Sequence, residues 1–271
     1  LQDAHLHLQD TRLSGNLEQI IADTRAAGIT RLVVNGTSPA DWGKVAALHR
    51  KYPDLIIPSY GLHPWRTPAK DNAWKAQLTE RIEMSTSACI GECGLDRWMP
   101  NPDRHAQEDA FRFQLELAAR LNRPISIHVL KAWGWLLQIL ESSPRPERGF
   151  LLHSFSGSRE IALQLVKLGA YFSFSGYFLQ PRKANVREAF RAIPRERILL
   201  ETDAPDMLPP SEHISHPLPN QLNHPANLAT ISHGLATTLG EDKAALNIQL
   251  EHNFQRFFSP ESTDLAGSGR L

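Results

Sequence analysis

Only two cysteines, Cys89 and Cys93, occur in 271 residues, which excludes a disulfide scaffold. Four positions apart on one extended strand, they stand about 13 Å apart, too far to bridge each other. Strand alternation puts both on the face opposite Glu92, buried under helices and structural. No apolar run approaches the roughly 18 residues of a membrane span. The opening Leu1-Gln2-Asp3-Ala4-His5 has neither the basic start nor the apolar core of a signal peptide. The expected location is cytoplasmic, with no membrane association and no obligate protein partner. Net charge is lacking too, because 29 basic residues balance 29 acidic ones. That excludes the strongly basic surface of a tight duplex binder. Gly-x-Ser-x-Gly, His-Glu-x-x-His, the Walker loop and Gly-x-Gly-x-x-Gly are all absent. With 41% hydrophobic and 21% charged residues, the chain is not a disordered one.

Histidine, by contrast, is plentiful at twelve residues, and its placement carries the argument. Eight apolar runs read as strands: 2–8, 31–35, 55–61, 88–94, 124–129, 149–155, 170–177 and 198–203. Segments with helical spacing lie between them, including 17–27, 40–51, 104–121 and 159–168. Gly28 and Gly169 follow two of these helices, as left-handed caps require. The step from strand to strand is near the roughly 30 residues of a βα unit. Alternation of this kind over eight strands favours an α/β fold of the (β/α)8 TIM-barrel type. The expected barrel domain is 1–258, followed by a disordered Ser- and Gly-rich tail at 259–271.

Reactive side chains gather where these strands end. The first run carries His5 and His7, which share a face because side chains alternate along a strand. His63 follows the third run, Glu92 lies in the fourth, His128 in the fifth, His153 in the sixth, and Glu201 and Asp203 in the eighth. The C-terminal strand ends are where barrel enzymes build their sites. A lone strand histidine is more often a hydrogen-bonded core residue than a ligand. Four histidines and two carboxylates at matching strand ends are another matter, since Glu92 or Asp203 charged in a dry barrel needs a cation or partner. Such an N/O donor set suits Zn²⁺, Mn²⁺, Ni²⁺ or a similar divalent ion. Six ligands exceed the need of one catalytic ion, so two metals are expected.

The segments Asp3-Ala4-His5-Leu6-His7, Gly61-Leu62-His63-Pro64, Ile90-Gly91-Glu92-Cys93-Gly94-Leu95-Asp96, Ile127-His128, His153-Ser154-Phe155-Ser156-Gly157-Ser158 and Glu201-Thr202-Asp203-Ala204-Pro205 together resemble the TatD family of metal-dependent hydrolases. Asn223-His224-Pro225 and Asn253-Phe254-Gln255-Arg256-Phe257-Phe258 extend the resemblance to about residues 3–258. It implies a TIM barrel with two divalent metals, Zn, Mn, Mg or Ni. His5, His7, Glu92 and Asp203 would hold one, and Glu92, His128 and His153 the other, with Glu92 bridging. The resemblance further implies deoxyribonuclease chemistry on exposed DNA ends, with single-stranded or end-exposed DNA as substrate. Two family arginines are missing, where this chain has Leu130 (followed by Lys131) and Leu222. The resemblance implies that both would serve substrate phosphate, so the departure bears on substrate class.

Asp203 and Glu92 are therefore the expected catalytic residues, Asp203 as metal ligand and proton acceptor for the attacking water. His63, Glu201 and Lys131 are expected to contact substrate or orient ligands. From Ala204 onward acidic residues outnumber basic ones, leaving the preceding 203 residues with 26 basic and 22 acidic groups, net +4. Arg182, Lys183, Arg187, Arg191, Arg195 and Arg197 form a basic stripe that reads chiefly as a solvated helix exterior. Trp65, Trp98, Trp133 and Trp135 follow the third, fourth and fifth strands, where they pack or stack bases at the site mouth. Two other readings use the same residues. One is a hydrolase of an amide, ester, lactone or phosphotriester on the same metal core; the modified Lys such barrels often use to bridge metals on the fourth strand is here Glu92. The other is a non-catalytic metal-binding interaction protein.

Overall fold

The computed structural model describes residues 1–67 and 72–259. The expected tail therefore lies, apart from Ser259, outside the described residues. Eight strands form one parallel sheet in sequence order: β1 Gln2–Leu6, β2 Arg31–Asn35, β3 Ile56–Tyr60, β4 Cys89–Asp96, β5 Ile125–Leu130, β6 Phe150–Leu152, β7 Ala170–Ser175 and β8 Ile198–Glu201. The sheet closes on itself just past the last strand. There the Asp203 amide donates to the His5 carbonyl at 3.0 Å and the His7 amide to the Ala204 carbonyl at 2.7 Å. This is the expected (β/α)8 barrel.

The helices are α1 Leu17–Ala26, α2 Pro39–Lys51, α3 Ala73–Glu83, α4 Arg104–Arg120, α5 Trp133–Ser142, α6 Arg159–Lys167, α7 Ala184–Ala192, α8 Leu228–Leu239 and α9 Lys243–Phe258. Four of them, α2, α4, α6 and α9, start on an acidic or hydroxyl cap that satisfies free amides. Asp103 accepts from the Ala106 amide at 3.0 Å, and Asp242 from the Ala245 amide at 2.9 Å. No helix among the described residues is long and apolar enough to cross a membrane.

Two apolar layers position the site. The larger fills the space between the sheet and the helices. The smaller fills the lower barrel with Val33, Cys89, Leu151, Tyr171 and Leu199, and α9 packs Phe254, Phe257 and Phe258 against it. Two residues further along the same strands, the buried side chains become polar: Asn35, His153, Ser173 and Glu201. The barrel is thus dry and apolar below and polar above, and the reactive end is the C-terminal one.

Cys89 corrects the sequence reading. It lies in the lower barrel interior and not under the outer helices. The pairing of β4 with β5 shifts register between Ile90 and Cys93, so strict alternation fails there. Cys89 and Glu92 consequently share the interior although three positions apart, while Cys93 packs in the outer layer. Both thiols are free and buried.

Candidate metal centre

The close approach of β4 to β5 depends on glycine. Gly94 has φ +142°, and a Cβ there would lie 2.0 Å from the His128 carbonyl oxygen. No other residue type fits. Strands β1, β6 and β8 end earlier than the apolar runs suggest, and His7, His153 and Asp203 stand just beyond them. Ser154 and Asp203, with φ 42° and 54°, turn the chain out of extended geometry. The Ser154 turn is held by its amide and hydroxyl, which donate to Glu201 Oε1 at 2.8 and 2.5 Å.

These turns close six side chains on one point, with Glu92 at the centre and 3% exposed. Its Oε2 lies 3.2 Å from His7 Nε2 and 3.5 Å from His5 Nε2. Its Oε1 lies 2.8 Å from His153 Nε2 and 3.1 Å from His128 Nδ1. Asp203 Oδ1 approaches His7 Nε2 at 3.6 Å and His5 Nε2 at 3.8 Å. Each oxygen of Glu92 thus faces its own set of imidazoles, the arrangement a bridging carboxylate needs.

The rest of each ring fixes which nitrogen faces inward. His7 Nδ1 donates to the Asn35 carbonyl at 2.8 Å, which leaves the lone pair of the neutral ring on Nε2. His128 Nε2 donates to Asp96 Oδ2 at 3.1 Å, which leaves the lone pair of the neutral ring on Nδ1. His5 Nδ1 is anchored on the Ser126 hydroxyl at 2.8 Å, and its buried Nε2 has no hydrogen-bond partner. His63 is built the other way round. Its Nδ1 accepts from the Trp65 amide at 3.1 Å, so the proton of the neutral ring sits on Nε2, which donates to Glu92 Oε1 at 3.1 Å. His63 therefore touches Glu92 as closely as His128 does, with a proton where a ligand needs a lone pair.

Donor atoms fall within 4.8 Å of one another in three groups: His5, Glu92 and His153; His5, His7 and Asp203; and His63, Glu92 and His128. The residues fit divalent cations on chemistry alone. A buried carboxylate ringed by imidazole nitrogens, with the orphaned Nε2 of His5 among them, is a borderline-hard N/O set without thiolate.

Charge in the cluster is tightly coupled. Burial alone would raise the Glu92 carboxyl, but His63, His153 and His128 hold it well below the usual range. Burial depresses His5 strongly. It would depress His7 as well, but the bonds to Glu92 and the charge of Asp203 raise that ring to about 10. His128, opposed by burial but paired with Asp96 and Glu92, rises to about 9. Burial, reinforced by Glu201 and Glu92, lifts Asp203 to about 7.

Glu201 is fully buried and accepts from Ser154 and Ser173, with His153 Nδ1 3.9 Å from its Oε1. Lys131 is exposed at the end of β5 and sets its Nζ 5.3 Å from the ring centre of Trp98. Of the four tryptophans, Trp65 and Trp98 stand exposed. Trp135 is buried and donates to Glu108, whereas Trp133 is half-buried and packs 5.0 Å from Phe155. Most of the basic stripe is engaged within the fold. Arg187 bonds the Phe178 and Gln180 carbonyls, Arg191 the Thr238 carbonyl, and Arg195 pairs with Glu241.

Asp96 and Asp3 were not among the expected site residues. Asp96 holds His128 and also accepts from the Trp65 indole at 2.6 Å. Asp3 is buried and accepts from the His5 amide and from Thr202. Asp96 follows Glu92 by four positions, and Asp3 precedes His5 by two. That spacing was the available signal.

A sequence model described as TatD related DNase matches residues 2–259. A 3'-5' ssDNA/RNA exonuclease TatD from Pantoea sp. (strain At-9b) is 32% identical over 263 residues, covering 94% of this chain and 98% of its own. The protein of the same name from Escherichia fergusonii is 32% identical over 259 residues, with the same two shares of 94% and 98%. The crystal structure of a TatD homologue from Escherichia coli K12 superposes with a TM-score of 0.87 at 27% identity, covering 95% of this chain and 97% of that one.

Proposed function

The chain belongs to the family of TatD-related DNases, and from that membership we propose a metal-dependent nuclease that hydrolyses phosphodiester bonds at exposed, single-stranded DNA or RNA ends. The observation that carries this reading is the Glu92 carboxylate facing two separate imidazole sets with its two oxygens. In this reading His5, His7, Glu92 and Asp203 hold one divalent cation, and Glu92, His128 and His153 a second. His63 positions Glu92 by hydrogen bonding, as its inward proton favours.

Bound divalent cations would supply positive charge for the phosphoryl transition state and acidify the attacking water. Asp203, whose Oδ1 faces the Nε2 atoms of His5 and His7 across the cluster, is placed to accept that water's proton. Asp96 fixes the His128 ring, and Glu201 holds the turn that presents His153. Lys131 takes the place nearest the missing family arginine and would meet a substrate phosphate as a point charge.

The test is a substrate panel run with Mn²⁺, Mg²⁺ or Zn²⁺. It compares single-stranded DNA and RNA with phosphotriesters, lactones and amides. Cleavage of single-stranded nucleic acid, abolished by chelator, is the expected result. Turnover of a carbonyl substrate with no nucleic-acid cleavage would overturn it.

A further inference from the structure

Three tryptophans, Trp42, Trp74 and Trp135, are buried at 0%, 6% and 7% exposure, as packing demands of so large an apolar ring. Trp65 and Trp98 break that pattern, at 58% and 68% exposure. Both are tied to one buried carboxylate. Asp96 Oδ2 accepts from Trp65 Nε1, and Asp96 Oδ1 accepts from the Trp98 amide, each at 2.6 Å. The same Oδ2 lies 3.1 Å from His128 Nε2. Two exposed indole residues are thus anchored within one side chain's length of the metal centre. Trp65 is also ordered by its ring contacts, 5.0 Å from His63 and 6.2 Å from His128 between centroids. The Lys131 ammonium, 5.3 Å from the Trp98 ring centre, adds a cation to the exposed aromatic surface.

Flat π faces held in place beside a cation match a chain of unpaired bases on a phosphate backbone. A duplex offers no such match, because its base faces are already stacked on one another. We propose that Trp65 and Trp98 form a stacking subsite for the unpaired bases next to the scissile phosphodiester, with Lys131 meeting an adjacent phosphate. The proposal rests on the nuclease reading above and adds to it a preference for base-bearing single strands that no metal ligand can provide. No base-specific hydrogen bonding is involved, so the subsite is tolerant of sequence.

The experiment is equilibrium binding by fluorescence anisotropy at fixed salt. Its probe is a labelled 12-mer of deoxythymidine, protected by phosphorothioates at both ends, beside the same oligomer with three abasic residues at each end. The wild-type protein should bind the base-bearing oligomer about 10-fold more tightly than the abasic one. Trp98→Ala should lose most of that ratio and Trp98→Phe should restore it. An exposed ring with only its backbone in the Asp96 network can be truncated without unfolding the barrel. A 10-fold ratio that survives in Trp98→Ala overturns the subsite, as does equal wild-type binding of the two oligomers. Hydrolysis of unprotected oligomer is measured in parallel. Cleavage without a base-dependent binding ratio refutes the subsite and leaves the nuclease, whereas no cleavage refutes the nuclease and the binding ratio still decides the subsite.

Discussion

Replacing Glu92 by Gln removes one charge from the cluster with almost no change of shape. Its two oxygens stand 2.8–3.5 Å from the nitrogens of His5, His7, His63, His128 and His153. An amide can still accept through its oxygen, but its nitrogen would point a proton at one imidazole set where an anion had been. If Glu92 bridges two cations, both lose their shared anionic ligand, and metal content measured by mass spectrometry should fall. Stability reads the same event independently. A ligand at 100 times its dissociation constant stabilises the fold by about 2.7 kcal/mol. For a chain of this size that corresponds to roughly 5–10 °C in Tm. The wild type should therefore drop by at least about that much when EDTA is added, and Glu92→Gln should show little or no drop. Hydrolysis should fall by more than about 100-fold, beyond the usual penalty for losing a residue that merely orients a ligand. A Glu92→Gln protein that keeps full metal content and the same EDTA shift would refute the bridging assignment, whatever its activity.

The neighbouring residues sort by the same assay. Asp96→Asn removes the carboxylate that orients His128, and metal affinity or kcat/KM should fall about 10–100-fold; no change in either would mean that the His128 ring is held by something else. His63→Gln keeps a donor near the Nε2 position, so metal content should stay complete and kcat/KM fall less than about 10-fold, whereas loss of a metal ion would make His63 a ligand. Outside the site, burial with help from His216 depresses His224 to about 4. The unfolded chain then binds a proton near pH 6.5 before the folded one does, so stability drops as pH falls from about 6.5 to about 4. For a ring 2% exposed, the loss between pH 7.5 and 4.5 is on the order of 2–3 kcal/mol. Urea melts in EDTA at pH 7.5 and 4.5 should show a smaller pH effect in His224→Gln, and an equal one would exclude this group.

The barrel and the convergence of its His, Glu and Asp side chains were legible because they depend on period and position. Eight apolar runs at a regular spacing, six of them carrying or leading into a histidine or carboxylate, leave few other folds that bring all those ends together. What the sequence withheld lies where one strand answers to another. Cys89 was misplaced because the β4–β5 register shift breaks alternation between Ile90 and Cys93. Just past that shift Gly94 lies in close contact with the His128 backbone, which no pattern within β4 alone reveals. His63 shows the same limit. Its position near the site could be read, but its role turns on whether the inward nitrogen carries a proton. The Trp65 amide decides that by bonding to the opposite side of the ring. Asp96 is the sharpest case, a carboxylate quoted within its motif yet silent until folding. Its importance comes from partners on two other segments, the Trp65 indole and the His128 ring, together with the Trp98 amide two residues on. Ligand-bearing residues announce themselves by type, whereas residues that orient them do so only through contacts. Substitutions at Asp96 and Trp98 are therefore where reasoning from the fold can be told apart from reasoning from the motif.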